Sequence, residues 1–276
     1  MKERAADVAD ASERAVLRAI AVMRERMGEQ LTIDDLARAA MFSKFHFTRV
    51  FQRVTGISPG RFLSALRLQR AKLLLVSTAM SVADISTHVG YNSVGTFSSR
   101  FSRSVGMSPT TYRRRAGFAP AMPIDAATHR GRAGEATLSC RVRLAEPHDN
   151  AVVFLGIFPD RIPEGRPVRC AVLGDREQVR FDSIPAGTWF LLAQSAMADE
   201  RTPPGEPDSV DRPVAVATYG PLHVHPGWSG SLDLLLRPSR LLDPPVLLAL
   251  LDARRYARTE LARMRLTQGA LLDTVA

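Results

Sequence analysis

Residues 43–56 read SKFHFTRVFQRVTG, and fifty positions later residues 93–106 read SVGTFSSRFSRSVG. Wound into an α-helix, the first stretch places Phe47, Val50, Phe51 and Val54 along one side, at the i, i+3, i+4, i+7 spacing of a buried stripe. The other side carries Lys44, Thr48, Arg49, Gln52 and Arg53, with Phe45 at its centre, where the neighbour is water. An aromatic ring in the middle of a polar, basic face asks for a reason, either a partner outside the core or packing on neighbouring Phe42 or the helix ends as a staple.

Working outward, both stretches belong to a longer repeat. Thr32-Ile33-Asp34-Asp35 and Ser81-Val82-Ala83-Asp84 read as S/T-x-x-D helix N-caps, in which the hydroxyl and the carboxylate satisfy free N–H groups at a positive helix end. The similarity continues beyond the caps: IDDLARAAMF is matched by VADISTHVGY, RVFQRVTGISP by RFSRSVGMSP, and Phe62 by Tyr112. Each copy, about 32–56 and 81–106, contains a short helix, a tight turn (Ala40 to Ser43; Gly90 to Ser93) and a second short helix ending at Gly56 or Gly106, which suit C-caps. Ser58-Pro59 and Ser108-Pro109 each open a further helix, with proline in its first turn. The spacing of Phe62, Leu66, Leu73 and Leu74 predicts one helix joining the copies, and Val16, Leu17, Ile20, Met23 and Met27 predict another in front of them. The pattern is a duplicated helix-turn-helix.

The charge is concentrated on the same part of the chain. The net charge is +9, but residues 1–118 hold 19 Lys/Arg against 9 Asp/Glu while residues 119–276 hold 18 against 19. Between Lys44 and Arg115 there are 12 basic side chains and one acid, Asp84, the footprint of a polyanion-binding module. The balanced second half is expected not to bind polyanions. The longest apolar runs, such as VLLALL at 246–251, fall well short of the roughly 20 residues that cross a bilayer, and MKERAADVAD lacks the apolar core of a signal peptide. No membrane association and a cytoplasmic location are expected. Cys140 and Cys170 fit a reduced compartment as buried free thiols.

After Arg115, the Pro-, Ala- and Gly-rich residues 117–135 read as a linker. Beyond it LSCRVRL, AVVFLGIF, RPVRCAVL, QVRFDSI, TWFLLAQSA, VAVATY and LDLLLRP are seven β-prone segments separated by Pro, Gly and Asp turns, which predict an antiparallel sandwich over 136–251. Residues 252–276 predict a helical tail. The expected fold is therefore multidomain, an all-α double helix-turn-helix domain over 1–116 followed by an all-β antiparallel sandwich.

The pieces FHFTRVFQRVTGISPGRF, LRLQRAKLLL, VADISTHVGY and TFSSRFSRSVGMSPTTYRR resemble the AraC/XylS family of transcription regulators over about residues 12–115. The resemblance implies a regulator that reads two successive major-groove segments of double-stranded DNA with helices near 43–55 and 93–105. It implies RNA polymerase and a small-molecule effector as further partners, and leaves monomer or homodimer open. In that family the module usually comes last; here another domain comes after it. Base contacts are then expected from Phe45, Thr48, Arg49 and Gln52 of the first helix, and from Gly95, Ser98 and Ser99 of the second. Backbone contacts are expected from Lys44, His46, Arg53, Thr96, Arg100 and Arg103. An aromatic ring in the groove meets a thymine methyl, and an arginine pairs with guanine O6 and N7.

For the second domain, VRFDSIPAGTWFLLAQ is similar to the turn and strand of prealbumin-like or carboxypeptidase-regulatory-like sandwiches. Its role is expected to be ligand sensing or assembly. Trp189, His223, His225 and Trp228 are the candidate ligand-binding residues, with core filling as the other reading of the tryptophans. His223 and His225 share a strand face, a spacing that suits a metal, but without a third ligand nearby no metal and no cofactor are expected. Two other functions compete with the regulator. A non-specific architectural DNA binder would show no sequence preference. A DNA-repair alkyl-transfer enzyme would carry a Pro-Cys-His-Arg nucleophile, whereas Cys140 stands in SCRV and Cys170 in RCAV, so no enzyme is expected.

Overall fold

The computed structural model describes residues 2–117, 136–146, 151–173, 178–197 and 215–247. The linker over 117–135, apart from Gly117, and the helical tail over 252–276 lie outside the described residues. Two compact units are present, one comprising the chain up to Ala116 together with Arg240–Leu247, the other drawn from Gly117–Ser239. The expected sandwich span of 136–251 thus meets a different partition, because 240–247 group with the helices.

The helical unit contains α1 (Lys2–Glu25), α2 (Ile33–Ala39), α3 (Lys44–Thr55), α4 (Pro59–Ser77), α5 (Val82–His88), α6 (Val94–Val105) and α7 (Pro109–Arg114). The caps explain the boundaries. Thr32 and Asp35 form a reciprocal capping box at α2, with the Thr32 hydroxyl accepting from Asp35 N–H and the Asp35 carboxylate accepting from Thr32 N–H at 2.9 Å. The hydrogen bonds from Thr32 hold the Asp35 carboxyl below its ordinary range. Ser81, Ser93 and Ser108 each accept from the N–H three residues on. Gly56 and Gly106 end α3 and α6 in the left-handed region, at φ 80° and 90°.

The duplication is most visible in the core. Phe47, Phe51 and Phe62 stack edge to face with successive centroids 5.5 Å apart, and Phe97, Phe101 and Tyr112 repeat the ladder at 5.6 Å. All six are buried. Each such ring contributes about 1.5–3 kcal/mol by leaving water, with edge-to-face contact adding to that. Pinning the second helix of each copy on its apolar stripe turns the opposite face outward.

The second unit holds β1 (Thr137–Leu144), β2 (Ala151–Phe158), β3 (Arg169–Leu173), β4 (Gln178–Phe181), β5 (Gly187–Met197), β6 (Ala215–Val224) and β7 (Ser229–Pro238), in the sheet order β3-β2-β5-β6-β7-β1-β4. Among the described residues seven strands form, where seven segments are expected. The all-antiparallel expectation is corrected, because β1 runs parallel to β7 from Thr137↔Ser229 to Leu144↔Leu236. Alternation sets which face of a strand is buried, but the direction of its neighbour depends on the connection. The long stretch between these strands allows a parallel pair that a hairpin cannot make. β6 and β7 pair only at Ala215↔Pro238 and Val216↔Arg237, so the sheet is nearly split there. Both halves contribute to one core that includes Leu138, Cys140, Phe181 and Leu236 from one and Leu155, Ile157, Leu191 and Leu222 from the other. Among the described residues no helix is long and apolar enough to cross a membrane.

Candidate nucleic-acid interface

The outward face of α3 begins with Phe45, 80% exposed, and continues with Arg49 and Gln52, also exposed. Phe45 does not pack on Phe42. The ring against Phe42 is His46, edge on at 4.6 Å. Thr48 is half-buried and its hydroxyl donates to the Lys44 carbonyl at 3.0 Å, leaving its oxygen lone pairs for a partner. Lys44 pairs with Asp34 at 3.1 Å, and Arg53 donates to the Ser12 hydroxyl at 3.3 Å, tying α3 to α1. Both cations remain exposed.

On α6 the corresponding face is short. Gly95, Thr96 and Ser99 are exposed and Ser98 is half-buried. Thr96 is absorbed in the N-cap, since Ser93 accepts its N–H and donates to its hydroxyl at 3.1 Å. Arg103 is exposed, whereas Arg100 is half-buried. Two exposed apolar residues are absent from the sequence-based expectation. Met41, 79% exposed, sits in the first turn, and Val94, 41% exposed, opens α6 beside Gly95. Extending the helical wheel one residue before Gly95 finds Val94; Met41 precedes the helix and no periodicity reports it.

The basic footprint is smaller than the residue count suggests. Arg67 donates to the carbonyls of Met27 and Glu29 at 2.8 and 2.7 Å and lies over the Tyr91 ring. Burial lowers its pKa and raises that of Tyr91. Arg113 donates to Leu75 and Met80 carbonyls at 3.0 and 2.6 Å, and Lys72 is buried. These three build the scaffold, so Lys44, Arg49, Arg53 and Arg103 remain as the exposed cations of the two second helices. Arg67 also seats the loop before α2 against the second turn, where Gln30 donates to Asn92 at 2.7 Å.

The candidate ligand residues lie at one end of the sheet unit, at the start of β5, the end of β6 and the turn after it. Trp189 and Trp228 are half-buried and pack against the core, and the Trp189 indole N–H donates to the Pro185 carbonyl at 2.7 Å. His223 is exposed and lies 3.3 Å from the Thr188 hydroxyl; His225 is exposed and lies 3.2 Å from the Pro226 carbonyl. Among the described residues no group of three or more His, Cys, Asp or Glu side chains is placed to hold a metal ion. Cys140 and Cys170 are free thiols, buried and half-buried. Burial first, and the Asp233 carboxylate second, push the Cys140 thiol up to about 12, the opposite of what a nucleophilic cysteine needs.

A family model described as a helix-turn-helix domain matches residues 36–115. The MmsAB operon regulatory protein of Pseudomonas aeruginosa is 38% identical over 95 residues, covering 34% of this chain and 31% of that protein. The right origin-binding protein of Escherichia coli is 33% identical over 88 residues, covering 32% and 30%. The chain spans about a third of the length of the curated relatives it matches. Among solved structures, the DNA-binding domain of AdpA in complex with a target DNA is 30% identical, with a TM-score of 0.35, covering 36% of this chain and 90% of that one. An AraC-type transcriptional regulator from Chromobacterium violaceum is 28% identical, with a TM-score of 0.37, covering 41% and 96%. Residues 36–115 form a helix-turn-helix domain.

Proposed function

We propose that this chain is a sequence-specific DNA-binding transcription regulator that reads two successive major-groove segments, about 34 Å apart, with α3 and α6. The observation that carries the reading is the outward face of α3, where an 80% exposed phenylalanine stands among Arg49 and Gln52 on a helix pinned from behind by a buried aromatic ladder. On a face that is otherwise polar and basic, a thymine methyl gives that ring an apolar partner. The relative named for operon regulation supports the same reading. The sheet unit then senses a ligand or mediates assembly, with Trp189, His223, His225 and Trp228 at the end where a ligand would enter. Two half-sheets that nearly part at β6–β7 and share one core support the prealbumin-like sandwich reading.

The two heads contribute unequally. Where α3 has Phe45 and Arg49, α6 has Gly95 and Ser99, which do not reach a base edge as far. Arg49→Ala is expected to cost about 1–3 kcal/mol and relax preference at one base, while Ser99→Ala does little. Arg103→Ala weakens all sequences alike and lowers the salt slope by about one unit. Competition of the full chain against randomised sites measures all three. The reading is overturned if Ser99→Ala erases base preference as fully as Arg49→Ala, or if selection returns no motif, the result an architectural binder would give.

A further inference from the structure

The two helix-turn-helix copies are joined by α4, a helix of 19 residues and so about 28 Å long, with a non-helical joint at each end. The aromatic ladders do not run from one copy to the other: the first lies on α3 and the start of α4, the second on α6 and α7. A second connection does cross. The loop between α1 and α2, which runs directly into the Thr32 cap of the first copy, lies against the second copy. Gly28 is so close to the end of α5 that a Cβ would stand 2.7 Å from the His88 carbonyl oxygen. Gln30 donates to the Asn92 side chain at 2.7 Å and to the Gly90 carbonyl at 3.4 Å, and Asn92 donates back to Gln30 at 3.4 Å. The linking helix enters the same junction, with Arg67 holding the Met27 and Glu29 carbonyls and Ser64 3.3 Å from the Tyr91 hydroxyl. The caps Thr32 and Ser81 are 49 positions apart, whereas Ser43 and Ser93 are 50 apart, so the second turn is one residue longer than the first. Asn92, in that longer turn, makes the contact and stands next to the Ser93 cap of α6.

We infer that this junction sets where α6 sits along the duplex, which makes Gly28, Gln30, Arg67 and Asn92 positioning residues for the second reading head. The inference rests on the DNA-binding reading above. Gly95, Ser98 and Ser99 reach base edges poorly, and a phosphate contact from Arg103 carries no sequence information, because phosphates repeat at every base pair. A head of this kind would slide between neighbouring positions if its attachment let it. The junction removes that freedom from behind the helix. Gly28 and Gly90 bring backbone against backbone, a close-packed contact with little give, and the Gln30–Asn92 pair ends one residue from the α6 cap. Base recognition by α3 then fixes the register of both heads.

The test is hydroxyl-radical footprinting and a salt titration of the full chain on a duplex carrying a site that the wild type selects. The wild type is expected to protect two narrow patches about ten base pairs apart, one for each head. Arg67→Met with Gln30→Ala keeps the first patch narrow and spreads the second over neighbouring positions. Its affinity falls roughly three- to tenfold, because a loosely held head must be ordered on binding, while its salt slope stays at the wild-type value. Gln30→Ala with Asn92→Ala removes only exposed side chains; it has a smaller effect in the same direction and carries the test if circular dichroism shows the first variant to be unfolded. Arg103→Ala gives the opposite pattern, a fainter second patch of unchanged width with a lower slope. A second patch that stays narrow in the folded variants overturns the inference, as does a junction variant that lowers the slope as Arg103→Ala does. A wild type that selects a site but protects a single patch, or a second patch already spread, overturns it while the chain remains a sequence-specific binder. A wild type that selects no site sinks the regulator reading first, and the inference with it.

Discussion

Gly90 and Gly95 are five residues apart and respond oppositely to the same added methyl group. Gly90 occupies the left-handed region at φ 88°, and a Cβ there would lie 2.4 Å from the Met27 carbonyl and 2.7 Å from the Arg67 guanidinium. Its counterpart Met41 has φ 61° but projects into solvent, which is why the first turn accepts a side chain and the second does not. Gly95 is helical, and the nearest atom to a Cβ is the Ser93 hydroxyl at 3.8 Å. Packing does not require that glycine. Gly90→Ala is expected to destabilise the helical unit by about 2–4 kcal/mol, combining backbone strain with a clash. Gly95→Ala is expected to stabilise it by about 0.5–1 kcal/mol through helix propensity while weakening DNA binding, because the methyl stands on the face proposed to read DNA. Chemical denaturation and DNA titration of both variants check the pair; a Gly95→Ala protein that is less stable, or one that binds more tightly, contradicts the assignment.

At the scale of elements, α3 and α6 depend on residues that never reach their outward faces. Arg67 on α4 holds two carbonyls of the loop between α1 and α2 and lies over Tyr91 in the second turn, so one side chain fixes where α6 begins. Arg67→Met keeps much of the stem but leaves both carbonyls without their charged donor. The expected cost is about 2–3 kcal/mol, with faster amide exchange at residues 26–31 and 88–92. The salt slope of DNA binding should remain that of the wild type, because this guanidinium is committed to the protein. Arg103→Ala shows the reverse, an unchanged melting temperature and a lower slope. Obtaining both effects from either variant would show that scaffold and interface are not separate.

At the scale of the whole molecule, the chain leaves β7 at Pro238 and by Arg240 belongs to the helical unit. Leu242, Val246 and Leu247 are buried, and Arg240 approaches Glu13 of α1 at 3.4 Å. The helical unit is therefore completed by residues far from the duplication. Leu247→Asp is expected to destabilise it by about 3 kcal/mol or more, since a charge would be placed where a leucine is fully buried. Arg240→Ala should change stability by less than about 1 kcal/mol, because both partners of that ion pair are nearly half exposed. Limited proteolysis of α1 and the unfolding midpoint of the full chain distinguish the two. Protection of α1 in Leu247→Asp equal to wild type would remove 240–247 from the unit.

Much of the geometry of the two helix-turn-helix copies was legible in the sequence because it depends on local order. A helical stripe, a capping threonine and a terminal glycine act within four residues of themselves, so the wheel that buries Phe47 and Phe51 also turns Phe45 outward. The seven strands were legible for the same reason, through alternation and turn residues. Which arginines are free was not. Arg67 and Arg113 look like Arg49 and Arg103 in a charge count, and only the approach of carbonyls from residues 33 to 40 positions away commits them to the scaffold. Nor was the parallel course of β1 beside β7, because alternation specifies a strand's face and says nothing of its neighbour's direction. That course and the return of 240–247 to the helices have the same origin. Each joins residues that are distant in the chain, and register and long-range packing, which no local period encodes, decide where they meet.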